Sequence, residues 1–554
     1  MIAGSGSLGG KAQGLVRIQQ ILENGFDAGA HRAFTVGVPR FAVITTDLFD
    51  RFMEHNGLHD LAFSDMKDAH LANAFLHARL PQALSDFLRA YIQNMHAPVA
   101  VRSSSLLEDA MSEPFAGVYA TKMVPNNQFS AEIRFRTLKE AVKLVYASTY
   151  FRNAKNYRKA VGRDDASEKM AVILQEVAGS RHGNRFYPAL SGVARSYNFY
   201  TLGNARPEDG VVSLALGLGK TIVDGERSWT YCPAFPKAEP PFGSRKELLK
   251  QTQTEFWTVN MGKPPFIDPT LEVEYLSRGD LAHAEEDGVL SSLASTYDPQ
   301  SDRLVPGCGS PGPRILNFAP LLLFRDPPMN DLVIDLMQSC EASYESPVEI
   351  EFAMECHRFE FLQVRPMLIS LDQVEVTEEE MAGDRVLVAS ERVLGNGASR
   401  VIRDVVHVKP EAFSGKDTGL IAAELDDMNR RLLEAGRPYL LVVIGRLGTA
   451  DPWLGIPVEW GQISGAGAIV EATTEAMNVD MSQGSHFFHN VTNLRIFYFS
   501  ADRTSRHPLR WDWFQQREAA GESRFVRHIT LDEALHIKVD GKSGRGVITH
   551  EGPD

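Results

Sequence analysis

The segment PVEIEFAMECHRFEFLQVRPM, residues 347–367, carries alternating apolar and polar residues on both sides of a turn around His357. Period-two alternation sends successive side chains to opposite faces of a strand, so the pattern predicts a β-hairpin. A turn centred at His357 sets Glu351 opposite Gln363 and Glu349 opposite Arg365. All four then share one face, with Ile350, Phe352, Leu362 and Val364 on the other. A carboxylate beside an amide oxygen is a hard-oxygen pair suited to Mg²⁺, which keeps waters and substrate phosphates as its other ligands. Arg365, just beyond, would hold the terminal phosphates. An amphipathic hairpin with a merely polar outer face produces the same pattern, and does so more often.

Two earlier stretches carry groups that bind anions. In GSGSLGGKAQGL, residues 4–15, Gly4, Gly6, Gly9 and Gly10 permit close backbone approach and Lys11 then opens a helix. Exposed amides and a lysine at a helix N-terminus make an anion site. The spacing is not that of a P-loop, because Ala12 follows Lys11; a flexible start capped by a helix fits equally well. In VAVRSSSLLEDAMSEPFAGVYAT, residues 99–121, a short apolar strand delivers Arg102, Ser103 and two more serines, followed by Glu108 and Asp109. An arginine at a strand end clamps phosphate oxygens in pairs, and hydroxyls supplement it. The competing reading is an exposed serine-rich turn with a surface ion pair.

Two C-terminal stretches hold further polar chemistry. RLGTADPWLGIPVEW, residues 446–460, combines Arg446, Asp451, Trp453 and Trp460; aromatic walls with one arginine and one carboxylate suit a small polar acceptor, or a buried structural loop. MSQGSHFFHN, residues 481–490, sets His486 at a predicted helix start near Ser485, with His489 on nearly the same face. Neutral imidazole is a competent nucleophile near pH 7, and unpaired helix amides would stabilise a phosphohistidine. A capping histidine beside Phe487 and Phe488 is the alternative.

The elements that must position these groups alternate between helix and strand up to about residue 370. Leu138, Ala141, Val142 and Val145 fall at helical spacing in residues 136–162, which predicts one long amphipathic helix. Residues 170–177 and 210–217 read as buried strands. The acidic stretch EVTEEEMAGD, 375–384, carries no core pattern and is the expected linker. Beyond it lie strands at 439–445, 467–472 and 496–500.

At 554 residues, 44% hydrophobic and 23% charged, the chain suits about three globular domains. A net charge of −14 argues against a nucleic-acid groove, which needs a positive field. Four scattered cysteines form neither a CxxC pair nor a disulfide framework, so a reduced cytoplasm is the expected setting. With no apolar run near 18 residues and no leader pattern, no membrane partner is expected.

Taken in order, GGKAQGL, PRFAVITTDLF, VAVRSSSLLEDAMSEPFAG, LALGLGKTIVDGE and VEIEFAMECHRFEFLQVRPM resemble the nucleotide-binding domain of pyruvate phosphate dikinase and phosphoenolpyruvate synthase, also found in rifampin phosphotransferase. The resemblance covers roughly residues 1–370. It implies an ATP-grasp-like domain that passes a phosphoryl group from ATP to a histidine on a swivelling domain. Lys11 and Arg102, with Ser103 beside it, match the family's phosphate-contacting stretch. Glu351 and Gln363 match its metal-binding pair and Arg365 its terminal arginine. Gly217, Leu218, Gly219 and Gly225 match its glycine-rich strand and loop, although Lys220 stands where a glutamate is usual. Residues 385–554 resemble the swivelling domain faintly, with His486 in the carrier's place; Phe487 replaces the usual alanine and Gly484 a threonine. No PEP/pyruvate barrel is discernible.

The expectation is therefore an α/β protein with three parts. An ATP-grasp-like region (1–370) is followed by a linker (371–390) and a smaller swivelling-like α/β domain (391–554). It would use ATP and Mg²⁺ to phosphorylate a small-molecule acceptor, through His486 or directly. An ATP-grasp ligase forming an acyl phosphate, or a nucleotide-binding regulatory module without turnover, are the alternatives.

Overall fold

Helix Gly10–Asn24 buries Lys11, Ala12, Leu15, Ile18 and Ile21 on one face. It starts so close to strand Val99–Ser105 that a Cβ on Gly9 would lie 1.6 Å from the Ser104 carbonyl oxygen, and Gly9 adopts φ 76°. Glycine is required there by both contact and conformation. Ser104 Oγ accepts from the Ala12 amide at 3.0 Å and donates to the Leu8 carbonyl at 2.9 Å, stitching helix to strand. The computed structural model describes residues 1–551 except 107, 109–116, 161–162, 165–167, 200–204, 239–244, 265, 368–373, 450, 452, 475–476, 478–490, 492–495, 504 and 542.

The architecture is mixed α/β. A five-stranded sheet runs in the order Ile2–Ala3, Phe41–Ile44, Met170–Glu176, Val99–Ser105, Thr121–Val124. A six-stranded sheet runs Trp229–Tyr231, Val211–Leu216, Leu190–Arg195, Val348–Glu355, Arg358–Pro366, Thr35–Gly37. Each described sheet draws its strands either from residues 2–366 or from residues 386–549. In the second set, a seven-stranded sheet has four parallel strands at its centre: Phe497–Ala501, Ala466–Ala472, Tyr439–Ile444 and Asp404–Val408.

Several expectations need correction. The helix over 136–162 is two helices, Ala131–Ser148 and Arg152–Ala160. Ser148 Oγ donates back to the Val145 carbonyl at 2.7 Å and accepts the Ala120 amide, while Asp68 Oδ1 caps the Arg152 amide at 2.9 Å. Such back-bonding competes with the helical ladder, and the new cap restarts it. The acidic stretch 375–384 is packed: Thr377 caps the short helix Glu378–Met381, and Val376 and Met381 join a cluster with Ala389 and Val547. Glu380 and Glu378 pair with Lys538 and Arg545. Two apolar residues sufficed to anchor a segment whose charge suggested solvent. Residues 386–390, placed in the linker, form a strand paired with Arg545–Thr549.

The hairpin forms with Glu351 opposite Gln363 and Glu349 opposite Arg365. A register shift between Glu351 and Phe352 pairs Phe352 with Phe361. This bulge moves Leu362 off the core face: Ile350, Phe352, Phe361 and Val364 belong to one apolar cluster, whereas Leu362 lines a cleft beside Gln363.

Candidate active site

The five- and six-stranded sheets face each other across a cavity of about 550 Å³. From the first sheet, Arg102 and Gln175 enter it; from the second come Ser191, Glu351, Ala353, Leu362 and Gln363. Arg102 is the hub. Its Nη1 donates to Gln175 Oε1 at 3.0 Å and to the Leu362 carbonyl at 3.3 Å, and its Nη2 donates to Gln363 Oε1 at 2.6 Å. Glu351 Oε2 lies 3.6 Å from the same Nη2. Arg365 reaches the site through Glu351 Oε1, 3.0 Å from its Nη2. Its Nε donates to Glu349 at 3.0 Å, and Arg195 holds the other oxygen of Glu349 at 2.6 Å. Among the described residues, three guanidiniums thus surround two carboxylates, and Arg102 stands at the cleft edge of that cluster, where it can meet a polyanion.

Lys11 lines the cavity, its ammonium 2.6 Å from Glu108 and 3.4 Å from Ser103 Oγ. Ser103 sits behind it, fully buried, and donates to Glu108. Glu108 is 1% exposed, so it is no surface ion pair. The glycine-rich stretch before Lys11 also departs from expectation. Its Ser5 and Gly6 amides donate to Asp47 at 3.0 and 2.8 Å, and Ser7 and Gly9 amides are taken by Thr46 and Ser7 hydroxyls. The anion in that nest is the protein's own carboxylate. Burial works against its charge, yet bonds from Thr45, Gly6 and Ser5 hold Asp47 below the usual carboxylate range.

Gly217, with φ 82°, turns the chain under the cavity, and Ser191 Oγ donates to its carbonyl at 2.7 Å. Gly219 and Lys220 reach the wall, where Lys220 pairs with Asp224 at 2.7 Å. Glu272 faces the same space, wetted by the cleft yet ringed by protein. Desolvation raises its carboxyl to about 7; Lys220 opposes the shift, while Asp224 and Glu459 reinforce it. Sequence reasoning passed over Gln175 and Glu272, and it named Glu108 only as half of an acidic pair with Asp109. Gln175 left a trace, as the polar residue in the otherwise apolar run MAVILQ. Its Nε2 is buried with no hydrogen-bond partner among the described residues, which suits a ligand acceptor atom.

The far wall of the cavity comes from the C-terminal half: Arg446, Leu447, Gly448, Thr449, Val458, Glu459, Trp460 and Ile463. The loop thus divides. Arg446 and Trp460 face the cleft, whereas Trp453 is 75% exposed and Asp451 accepts the Trp453 amide in a local turn. Arg446 also donates to the Gly225 carbonyl at 3.1 Å. In the same region, the Gly461 amide donates to Asn153 Oδ1, and the Gly461 carbonyl accepts from Asn429 at 3.0 Å. His486 and His489 lie outside the described residues.

A family model described as the pyruvate phosphate dikinase AMP/ATP-binding domain matches residues 5–385. The chain belongs to that family. Its nucleotide-binding region is accordingly ATP-grasp-like, with the cavity between its five- and six-stranded sheets. The chain is also 27% identical over 190 residues to an uncharacterized phosphotransferase, YvkC, of Bacillus subtilis (strain 168). That match covers 34% of this chain and 20% of the relative, so the chain spans about a fifth of that protein. No described helix is long and apolar enough to cross a membrane.

Proposed function

We propose that the chain is an ATP-dependent phosphotransferase whose nucleotide lies between the five- and six-stranded sheets and whose acceptor approaches from the C-terminal wall. The observation that carries this reading is the convergence in one cavity of Arg102, Lys11, Glu351, Gln363 and Gln175, whose Nε2 has no partner among the described residues, closed by a wall from the other half of the chain. Arg102 and Lys11 bind and orient the phosphates. Arg365 and Arg195, through Glu349 and Glu351, fix the carboxylate that faces them. Glu351 and Gln363 are adjacent hard oxygens of the kind Mg²⁺ takes, and they would hold it once Arg102, which donates to Gln363 Oε1, turns to the phosphates; bound there, it would neutralise developing charge on the transferred group. Catalysis on this reading is electrostatic and positional.

His486 is the proposed carrier, its ring nitrogen forming an N–P bond as the P–O bond to the nucleotide breaks. Supporting this, Met477, the last described residue before that segment, lies against Gly445, next to Arg446 on the cavity wall. Incubation with γ- and β-labelled ATP tests it. The expected product is an acid-labile, base-stable protein phosphate that is lost in His486→Ala and kept in His489→Ala. Intact phosphorylation of an acceptor by His486→Ala, with no label under rapid quench, would establish direct transfer instead.

A further inference from the structure

Lys11 has a built counter-charge. Its ammonium meets Glu108 Oε1 at 2.6 Å, with both side chains buried. Both Glu108 oxygens are pinned: Ser103 Oγ donates to Oε1 at 2.8 Å and the Ser105 amide donates to Oε2 at 3.0 Å. The Glu108 amide in turn donates to Ser105 Oγ at 3.1 Å. A lysine has three N–H donors, of which Glu108 and Ser103 engage two, while the residue still lines the cleft.

We propose that Glu108 is a positioning residue that keeps Lys11 protonated and aimed at the phosphates of the nucleotide. The role rests on the reading of Lys11 as a phosphate contact.

Burial lowers the pKa of two other ammoniums of this protein, Lys122, even with Glu274 at 2.6 Å, and Lys143. Lys143 donates to the Leu76 carbonyl at 2.7 Å, and burial pushes its pKa down to about 8. A buried lysine that loses its carboxylate gives up its proton more readily, and a neutral amine has no attraction for phosphate. Glu108 also faces Tyr119 and Glu168, with Arg158 beyond them. Glu168 is itself raised to about 7 by burial, so it does not replace Glu108 as a firm counter-charge. Across the cleft stand Arg102 and Glu272, and Glu272 titrates near 7. Variants are therefore compared with the wild type at each pH.

The experiment is the Kd for ATP, by calorimetry on the full chain at pH 7, 8 and 9, above the last phosphate ionisation near pH 6. For Glu108→Gln, the ratio of variant to wild-type Kd should grow about tenfold over this range, because each pH unit above a lysine's pKa removes a factor of ten of its charged form. Glu108→Asp restores the charge and should hold the ratio constant. So should Lys11→Arg combined with Glu108→Gln, because a guanidinium stays charged. A ratio for Glu108→Gln that stays flat, whether affinity is unchanged or uniformly weaker, overturns the proposal. Should that variant fail to fold, Lys11→Arg alone decides. Parallel pH profiles for it and the wild type support the role; a wild-type profile that falls away from that of Lys11→Arg as pH rises overturns it. Unchanged affinity in Lys11→Ala would remove the phosphate-contact reading and this role together. Weakened affinity there, with a flat Glu108→Gln ratio, removes the role of Glu108 alone.

Discussion

Gly461→Ala probes how the two halves of the chain close on the cavity. A Cβ at Gly461 would lie 2.3 Å from Asn153 Oδ1 and 2.8 Å from the Asn153 Cα and carbonyl oxygen. The amide tip can swing away, but the backbone atoms belong to helix Arg152–Ala160 and cannot. The gap must therefore open by about 0.6 Å to bring 2.8 Å to an ordinary 3.4 Å. Overpacking of this kind costs about 1–3 kcal/mol, and disturbing the Gly461-to-Asn153 hydrogen bond costs about 0.5–1.5 kcal/mol. A total near 2 kcal/mol falls on docking and not on either core, and weakens docking roughly thirtyfold. Small-angle scattering should show a larger radius of gyration, and amide exchange should quicken in Arg152–Ala160. The Asn429 bond to the Gly461 carbonyl lies within the C-terminal half and should keep that half folded. Scattering and exchange identical to wild type, in a protein that carries the alanine and is equally stable, would refute the reasoning.

Three further outcomes are expected. Glu349→Gln leaves Arg195 and Arg365 buried without their shared charge, and should lower unfolding stability in urea by about 3–5 kcal/mol. Arg102→Lys cannot reach Gln175 and Gln363 together, and should cut kcat/KM for ATP about ten- to a hundredfold while the protein stays folded by circular dichroism. Glu272 gains negative charge in the cleft as pH rises through about 7, so wild-type ATP affinity relative to that of Glu272→Gln should weaken by about threefold between pH 6 and 8. A ratio that stays constant in calorimetric titrations of both proteins would contradict it.

The hairpin was legible because alternation and a turn fix register locally, and Glu351, Gln363, Glu349 and Arg365 pair as the spacing predicts. The bulge was not, since no residue type marks it, and Leu362 was assigned to the wrong face. Lys11 and Arg102 stood out by charge at element ends. Their partners did not: Glu108 follows Lys11 by 97 residues, and Gln175 follows Arg102 by 73. The glycine-rich stretch looked like an empty nest because Asp47, which fills it, is some 40 positions away. Local chemistry was readable where neighbours in sequence are neighbours in space, and failed where tertiary contact supplied the partner.

The bulge between Glu351 and Phe352 has a mechanical consequence. Strand Val348–Glu355 is laced along its other edge to Leu190–Arg195, from Glu349 to Met354, so its own register is anchored independently of the turn. The slack residue lies between the turn and the four polar positions. A longer or shorter turn around Cys356 and His357 is thus absorbed before it reaches Glu351 and Gln363, and disturbs chiefly the end that pairs with Thr35–Gly37. The hairpin tip is insulated from the chemistry, which makes it the place to attach a probe or graft a loop without shifting the residues that face the cleft.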